Sequence, residues 1–338
     1  MIKTADLLAL SRSRTPHAQE YYDGLIFDPD PLGGYRLRPN QRLAHVSINE
    51  DGYRGAPWTG AETILLLGDS VTFGIGASGD EACFARALEA HTGARVADAS
   101  VRAYRAFQHY LQLPRLLERL PHVRHVLLWC GYADLSYWVM TGGCVEGAFQ
   151  FEWKYRPGAV QHPLAMRGWR YRLRMAQLAP IVHRWLVGAT PAVARDHGTL
   201  EQLTTHVAAY IRGIEDICVA RRIRLIALIQ PFVRVRPTEE TFRTFMDLCD
   251  QKTREKCGRS WYQLAPQLVE ALQYRLAASR GLQVVDCQQF VSEEQFLDQA
   301  HLSEDAMRRI AMSLAVDQSL WEALELVSQP RRIHEGTI

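Results

Sequence analysis

The run TILLLGDSVTFGIGAS, residues 63–78, decides how the rest of the chain is read. Its first five residues are a short apolar stretch, closed by Gly68-Asp69-Ser70. That pattern predicts a buried strand that ends in a loop. Downstream, residues 81–91 have helical periodicity, 95–99 read as a strand, 104–120 as a helix and 125–129 as a third strand. Residues 135–197 then break the alternation. They carry Trp138, Trp153, Trp169 and Trp185 among several Gly and Pro, and read as an insertion over the top of the sheet. Regularity returns with a helix at 200–221, a strand at 224–229, helices at 238–256 and 261–280, a last strand at 283–285 and a helix from 303 to about 326. Strands alternating with helices imply an α/β domain with a five-stranded parallel sheet covered on both faces. Residues 1–62, rich in Pro, Gly and Asp, read as a segment wrapping that core. The domain itself is expected over 63–328, with 329–338 as a tail.

The 338 residues are 47% hydrophobic and 22% charged, which is globular composition, and the net charge of +2 gives no support for general nucleic-acid binding. The seven Cys are odd in number and none lies at CxxC spacing, against a disulfide framework or a zinc ribbon. The apolar run Leu7 to Leu10 is too short for a signal-peptide core, and no run reaches membrane-spanning length. A reducing cytoplasm is the expected location.

Two segments carry chemistry. A Ser directly after the first strand has its hydroxyl at the carboxyl edge of a parallel sheet, where ligands tend to bind. A helix expected to begin near Thr72 would offer N–H groups to an oxyanion there. On this segment alone, a Ser or Asp that merely caps a turn explains the motif equally well. The second segment is Asp298-Gln299-Ala300-His301. A carboxylate three residues before a His can hold one ring nitrogen and leave the other facing a nucleophile. It follows the last strand, so the inferred sheet brings both segments to one edge.

With these residues in view, the chain resembles the SGNH hydrolases, the GDSL esterase/lipase superfamily. The likeness runs from INEDGYRG at 48–55 through LLLGDSVTFGIGAS, LLWCGYAD and VVDCQQF to DQAHLSEDAMRRIA, over roughly residues 45–318 without the insertion. It implies a flavodoxin-like three-layer α/β/α sandwich. It also implies Ser70 as nucleophile, His301 as base and Asp298 as the residue that orients it. The family's oxyanion hole uses the Ser N–H, a Gly after the second strand and an Asn in a GxND block after the third. Here Ala103 stands at the Gly position and Ala133 at that of the Asn. The oxyanion hole is therefore expected from Ser70 and Ala103, with Tyr132, Tyr104, Arg102 or Arg105 as replacement donors for the missing amide. Loss of one such donor lowers rates by about two to three orders of magnitude.

Gly74-Ile75-Gly76-Ala77-Ser78-Gly79 also fits GxGxxG, with Asp98 downstream. A dinucleotide fingerprint starts directly after its strand, whereas residues 68–73 intervene here, so nucleotide binding is set aside. Between Lys154 and Arg184 lie seven cations and no Asp or Glu. Arg167, Arg170 and Arg174 share one helical face there. That face is either solvated or part of a lid whose cations meet an acidic partner, such as a carrier protein, an anionic substrate or a membrane surface.

The expectation is a serine-dependent acyl hydrolase or acyltransferase that acts on an ester or thioester through an acyl-enzyme, without metal or organic cofactor. The alternative is a catalytically impaired protein that uses the same cleft to bind a glycan, a lipid or a carrier-bound acyl group.

Overall fold

The computed structural model describes residues 17, 20–145, 198–279 and 281–321. Four short strands come first: β1 (Phe27–Asp30) with β2 (Gly34–Leu37), and β3 (Gln41–Arg42) with β4 (Ser47–Ile48), each an antiparallel pair. The central sheet is formed by β5 (Ile64–Leu67), β6 (Val96–Asp98), β7 (His125–Cys130), β8 (Arg224–Ile229) and β9 (Leu282–Asp286). All of its pairings are parallel, in the order β6-β5-β7-β8-β9.

The middle strands explain their own apolar runs. Every residue of β5 is buried, as are all of β7 and β8 after the first, because helices cover both faces. Each Leu or Ile so buried contributes roughly 2 kcal/mol. The helices are α1 (Phe84–Thr92), α2 (Ala106–Arg119), α3 (Tyr132–Thr141), α4 (Leu200–Ala220), α5 (Glu240–Cys257), α6 (Trp261–Leu276) and α7 (Glu304–Val316), followed by the short turn Gln318–Trp321. α1 packs against α7, while α2, α4 and α6 form the other contiguous layer. The result is the expected three-layer α/β sandwich. Among the described residues no helix is long and apolar enough to cross a membrane.

Three expectations are corrected. No helix starts near Thr72. Residues 70–76 form turns, and the next α-helix begins at Phe84, because Gly74 and Gly76 take φ values of 80° and 92°, which a right-handed helix cannot contain. The insertion does not begin at 135: α3 belongs to the core, with Leu135 and Trp138 buried in it. Val145 still packs against that core, and the described chain resumes at Gly198, whose N–H donates to the Gly143 carbonyl at 2.9 Å. Arg167, Arg170 and Arg174 lie outside the described residues. Finally, the N-terminal segment contains the two strand pairs above, which its sequence does not announce.

That segment has a small core of its own. Tyr21, Phe27, Tyr35, Leu37 and Ile48 pack with Phe73 and Ile75 from the loop after β5, and with Val101 and Tyr104 from the loop after β6. The N-terminal hairpins therefore rest on the loops at the carboxyl edge of the sheet.

Candidate active site

Gly68 ends β5 where nothing larger fits. A Cβ there would lie 1.9 Å from Thr72 Oγ1 and 3.0 Å from Ser100 Oγ. The turn that follows is closed by Phe73 N–H to the Asp69 carbonyl at 3.0 Å and Ile75 N–H to the Ser70 carbonyl at 3.1 Å. Asp69 Oδ1 also accepts the Val71 N–H at 2.9 Å. Ser70 is thus held on a rigid turn, with 8% of its surface exposed.

The other partners come from the loop between β9 and α7. Asp298 Oδ1 accepts the N–H groups of Ala300 at 2.9 Å and His301 at 2.8 Å, which is an Asx-type turn. Its Oδ2 meets His301 Nδ1 at 2.7 Å, and His301 Nε2 meets Ser70 Oγ at 2.9 Å across 231 residues of sequence. The packing of α7 on α1, and Glu304 Oε1 accepting the Ser78 N–H at 2.5 Å, carry this loop back from the far edge of the sheet to Ser70. Val233 N–H donates to the Gln299 carbonyl at 2.9 Å and fixes the loop from the β8 side.

The electrostatics favour one proton arrangement. Burial raises the Asp298 carboxyl, but the charge of His301 and the three hydrogen bonds outweigh it, and the pKa falls to about 2. Burial likewise lowers His301, yet the Asp298 charge and hydrogen bond win, and its pKa stands above the ordinary 6.5. An ionised Asp298 requires N–H at Nδ1, so Nε2 offers its lone pair to the Ser70 hydroxyl. Burial pushes Asp69 and Asp134 up to about 6.

The expected oxyanion donors are placed as follows. Ala103 has φ 62°, the left-handed region that favours glycine, so an L-residue holds the backbone shape of the glycine it stands for. Among the described residues, neither the Ser70 N–H nor the Ala103 N–H is engaged in a hydrogen bond. Ala133 is buried on the first turn of α3. The Tyr132 ring packs on Phe232 and Trp261, and its hydroxyl meets Gln299 Oε1 at 3.4 Å, two residues before His301. The Tyr104 hydroxyl donates to the Tyr35 carbonyl and accepts from Gln112. Arg105 lies 3.8 Å above the Tyr137 ring. Arg102 Nη1 donates to the Tyr21 carbonyl at 3.2 Å, and its charge acts on His301. Tyr104 and Arg105 are thus directed into packing, Arg102 lies over the Phe27 ring, and the Tyr132 hydroxyl reaches the loop that carries His301.

The GxGxxG glycines serve the turn, and the Gly74 and Ala77 carbonyls accept from Arg54 and Tyr21. Among the described residues no cluster of His, Cys, Asp or Glu could hold a metal ion, and the seven Cys are free thiols. Arg54 lies within the 48–55 block, and nothing local in the sequence assigns it a role. Its signal was a lone Arg after a turn-forming Asn and Gly.

No family model matches the chain, and no curated protein matches its sequence. Solved structures do resemble it. A GDSL-like lipase from Bacteroides thetaiotaomicron is 10% identical at a TM-score of 0.41, over 78% of this chain and 92% of that one. The psychrotrophic esterase EstA from a Pseudoalteromonas species is 11% identical at 0.40, over 77% and 100%. A Slackia heliotrinireducens protein assigned to the SGNH hydrolases is 14% identical at 0.42, over 78% and 100%. At these scores the likeness carries no functional argument, and the reading rests on the residues themselves.

Proposed function

We propose that the protein is a serine-dependent acyl hydrolase or acyltransferase of the SGNH type. The observation that supports this most is the linear relay Ser70–His301–Asp298, with contacts of 2.9 and 2.7 Å. Ser70 Oγ attacks the carbonyl carbon of an ester or thioester while His301 Nε2 takes the hydroxyl proton. The carbonyl π pair moves onto oxygen, near the N–H groups of Ser70 and Ala103. The oxyanion collapses, the bond to the leaving alkoxide or thiolate breaks, and His301 returns its proton to that group. Water or another hydroxyl then attacks the acyl-enzyme by the same steps in reverse order. Turnover of a small neutral ester, together with mass-spectrometric labelling of Ser70 by a fluorophosphonate, tests the reading. A protein that does neither overturns it.

The pH profile follows from His301. Only neutral imidazole accepts the Ser70 proton, so kcat/KM rises with pH through the His301 pKa. That pKa is raised, so the half-maximal point lies above pH 6.5. Initial rates on an uncharged ester across pH 5–9 check this. A plateau that persists below pH 6 contradicts the assignment of His301 as base.

Ala133 favours a second reading, a cleft that binds without turning over efficiently. If the side-chain amide is simply missing, Ala133→Asn raises ester kcat/KM by about tenfold or more. If another donor already fills that place, the amide crowds the site and the rate stays flat or falls. Comparing parent and variant on one ester separates the two readings.

A further inference from the structure

The turn carrying Ser70 has no helix beneath it; its own N–H groups satisfy the carbonyls of Asp69, Val71 and Ser70, and a buried side chain from the N-terminal segment reaches those of Phe73 and Gly74. Arg54 has a side chain that is 1% exposed. Its Nη1 donates to the Phe73 carbonyl at 2.6 Å and to the Gly74 carbonyl at 2.9 Å. Its Nε donates to Asp80 Oδ1 at 2.8 Å, and Nη2 to the Tyr21 hydroxyl at 3.0 Å and the His45 carbonyl at 3.1 Å. All five N–H groups of the guanidinium are thereby used. The plane also lies near the faces of Tyr21 and Phe73, 5.2 and 5.4 Å from their ring centres. Tyr21 in turn donates to the Ala77 carbonyl at 2.7 Å. The far end of the fork is anchored too, since Asp80 accepts the N–H and hydroxyl of Ser47.

The local sequence is built to deliver this side chain. Asn49 Oδ1 accepts the N–H groups of Asp51 and Tyr53 at 3.0 Å each, and its Nδ2 donates to the Ala56 carbonyl. Gly52 takes φ 85°, and a Cβ there would stand 3.0 Å from the Leu37 carbonyl oxygen. Asn49, Gly52 and Arg54 act as one device that inserts a rigid fork under the nucleophile turn.

We propose that Arg54 is a positioning residue for Ser70: through the Phe73 and Gly74 carbonyls it fixes the turn whose first residues are Asp69 and Ser70. The kinetic part rests on Ser70 being the nucleophile. A planar fork can meet five acceptors at fixed angles, whereas a lysine offers three donors from one point, so the task is specific to arginine.

Arg54→Met, Arg54→Lys and Tyr21→Phe test this in the full-length protein. Arg54→Met is expected to slow fluorophosphonate labelling of Ser70 and kcat on a small neutral ester by about 10- to 100-fold, as small displacements of a reacting group do. KM stays within about twofold, and the midpoint of the pH profile does not move, because the His301–Asp298 pair is untouched. Arg54→Lys and Tyr21→Phe give smaller losses of the same kind. Hydrogen exchange supplies a readout independent of activity. The amides of Phe73, Gly74 and Ile75 exchange at least about tenfold faster in each variant, while those of β7 and β8 keep their parental rates. Folded variants with parental labelling and parental exchange at these three amides overturn the proposal. Should Arg54→Met fail to fold, the two milder variants decide by the same measures. Should the parent itself not label, the assignment of Ser70 falls, and exchange still decides whether Arg54 holds the turn.

Discussion

Ser70→Ala is expected to remove turnover almost completely, by roughly four to six orders of magnitude in kcat. It should also eliminate the fluorophosphonate adduct. No neighbouring hydroxyl can take over. Thr72 Oγ1 accepts from Ser100 Oγ at 2.8 Å and donates to the Asp69 carbonyl, and Thr72 and Ser100 are both fully buried. Both hydroxyl protons are thus committed under the turn, that of Ser100 to Thr72 and that of Thr72 to the Asp69 carbonyl. The loss should leave folding intact, since among the described residues Ser70 Oγ makes a single hydrogen bond, to His301. Kinetics on one ester, an intact-mass spectrum after probe treatment and a thermal melt check the three parts. An adduct that survives at another residue would move the nucleophile elsewhere.

Asp298→Asn has the second-largest expected effect, about three to four orders of magnitude in kcat. The carboxamide keeps an acceptor for the Ala300 and His301 N–H groups, so the turn survives. The oxygen that met Nδ1 becomes an NH2 group, however. His301 must then present an unprotonated Nδ1 to it and carry its proton on Nε2, which leaves the Ser70 hydroxyl without a base. Loss of the carboxylate also removes the charge that raises His301. Any residual activity should therefore follow a pH curve shifted to lower pH. Equal kcat for parent and variant would mean that Asp298 only shapes the loop.

Much of the fold was legible because its signals are local. The strand after Glu62 is an unbroken apolar run, and the same holds for β7 and β8, so burial on both faces is written into composition alone. The Ser70 and Asp298–His301 segments were legible because each motif fits within four residues and the strand order places them on one edge. What escaped was long-range. The turn after Ser70 resembles a helix start until its carbonyl partners are known, and those partners, Arg54 and Tyr21, stand 19 to 56 residues upstream. β1 to β4 have only two to four residues each, too few for an alternating pattern to emerge. α3 is rich in Tyr, Trp, Val and Thr, which have weak helix propensity, and it is held by burial in the core. Ala103 shows the converse. The residue type gives no hint of a positive φ, and only its alignment with a glycine marked the position.

The return of α7 to α1 has a consequence for the order in which the protein comes into being. Ser70 follows the first strand of the central sheet to be synthesised, yet His301 sits beyond the last one, and α7 must dock on α1 to bring them together. On the ribosome, the earlier strands and their helices have emerged well before His301. Through that interval Ser70 has no imidazole beside it and remains an ordinary alcohol. On the proposed mechanism, competence arrives only once α7 has docked, so the topology acts as a timer that keeps an unfinished chain inert.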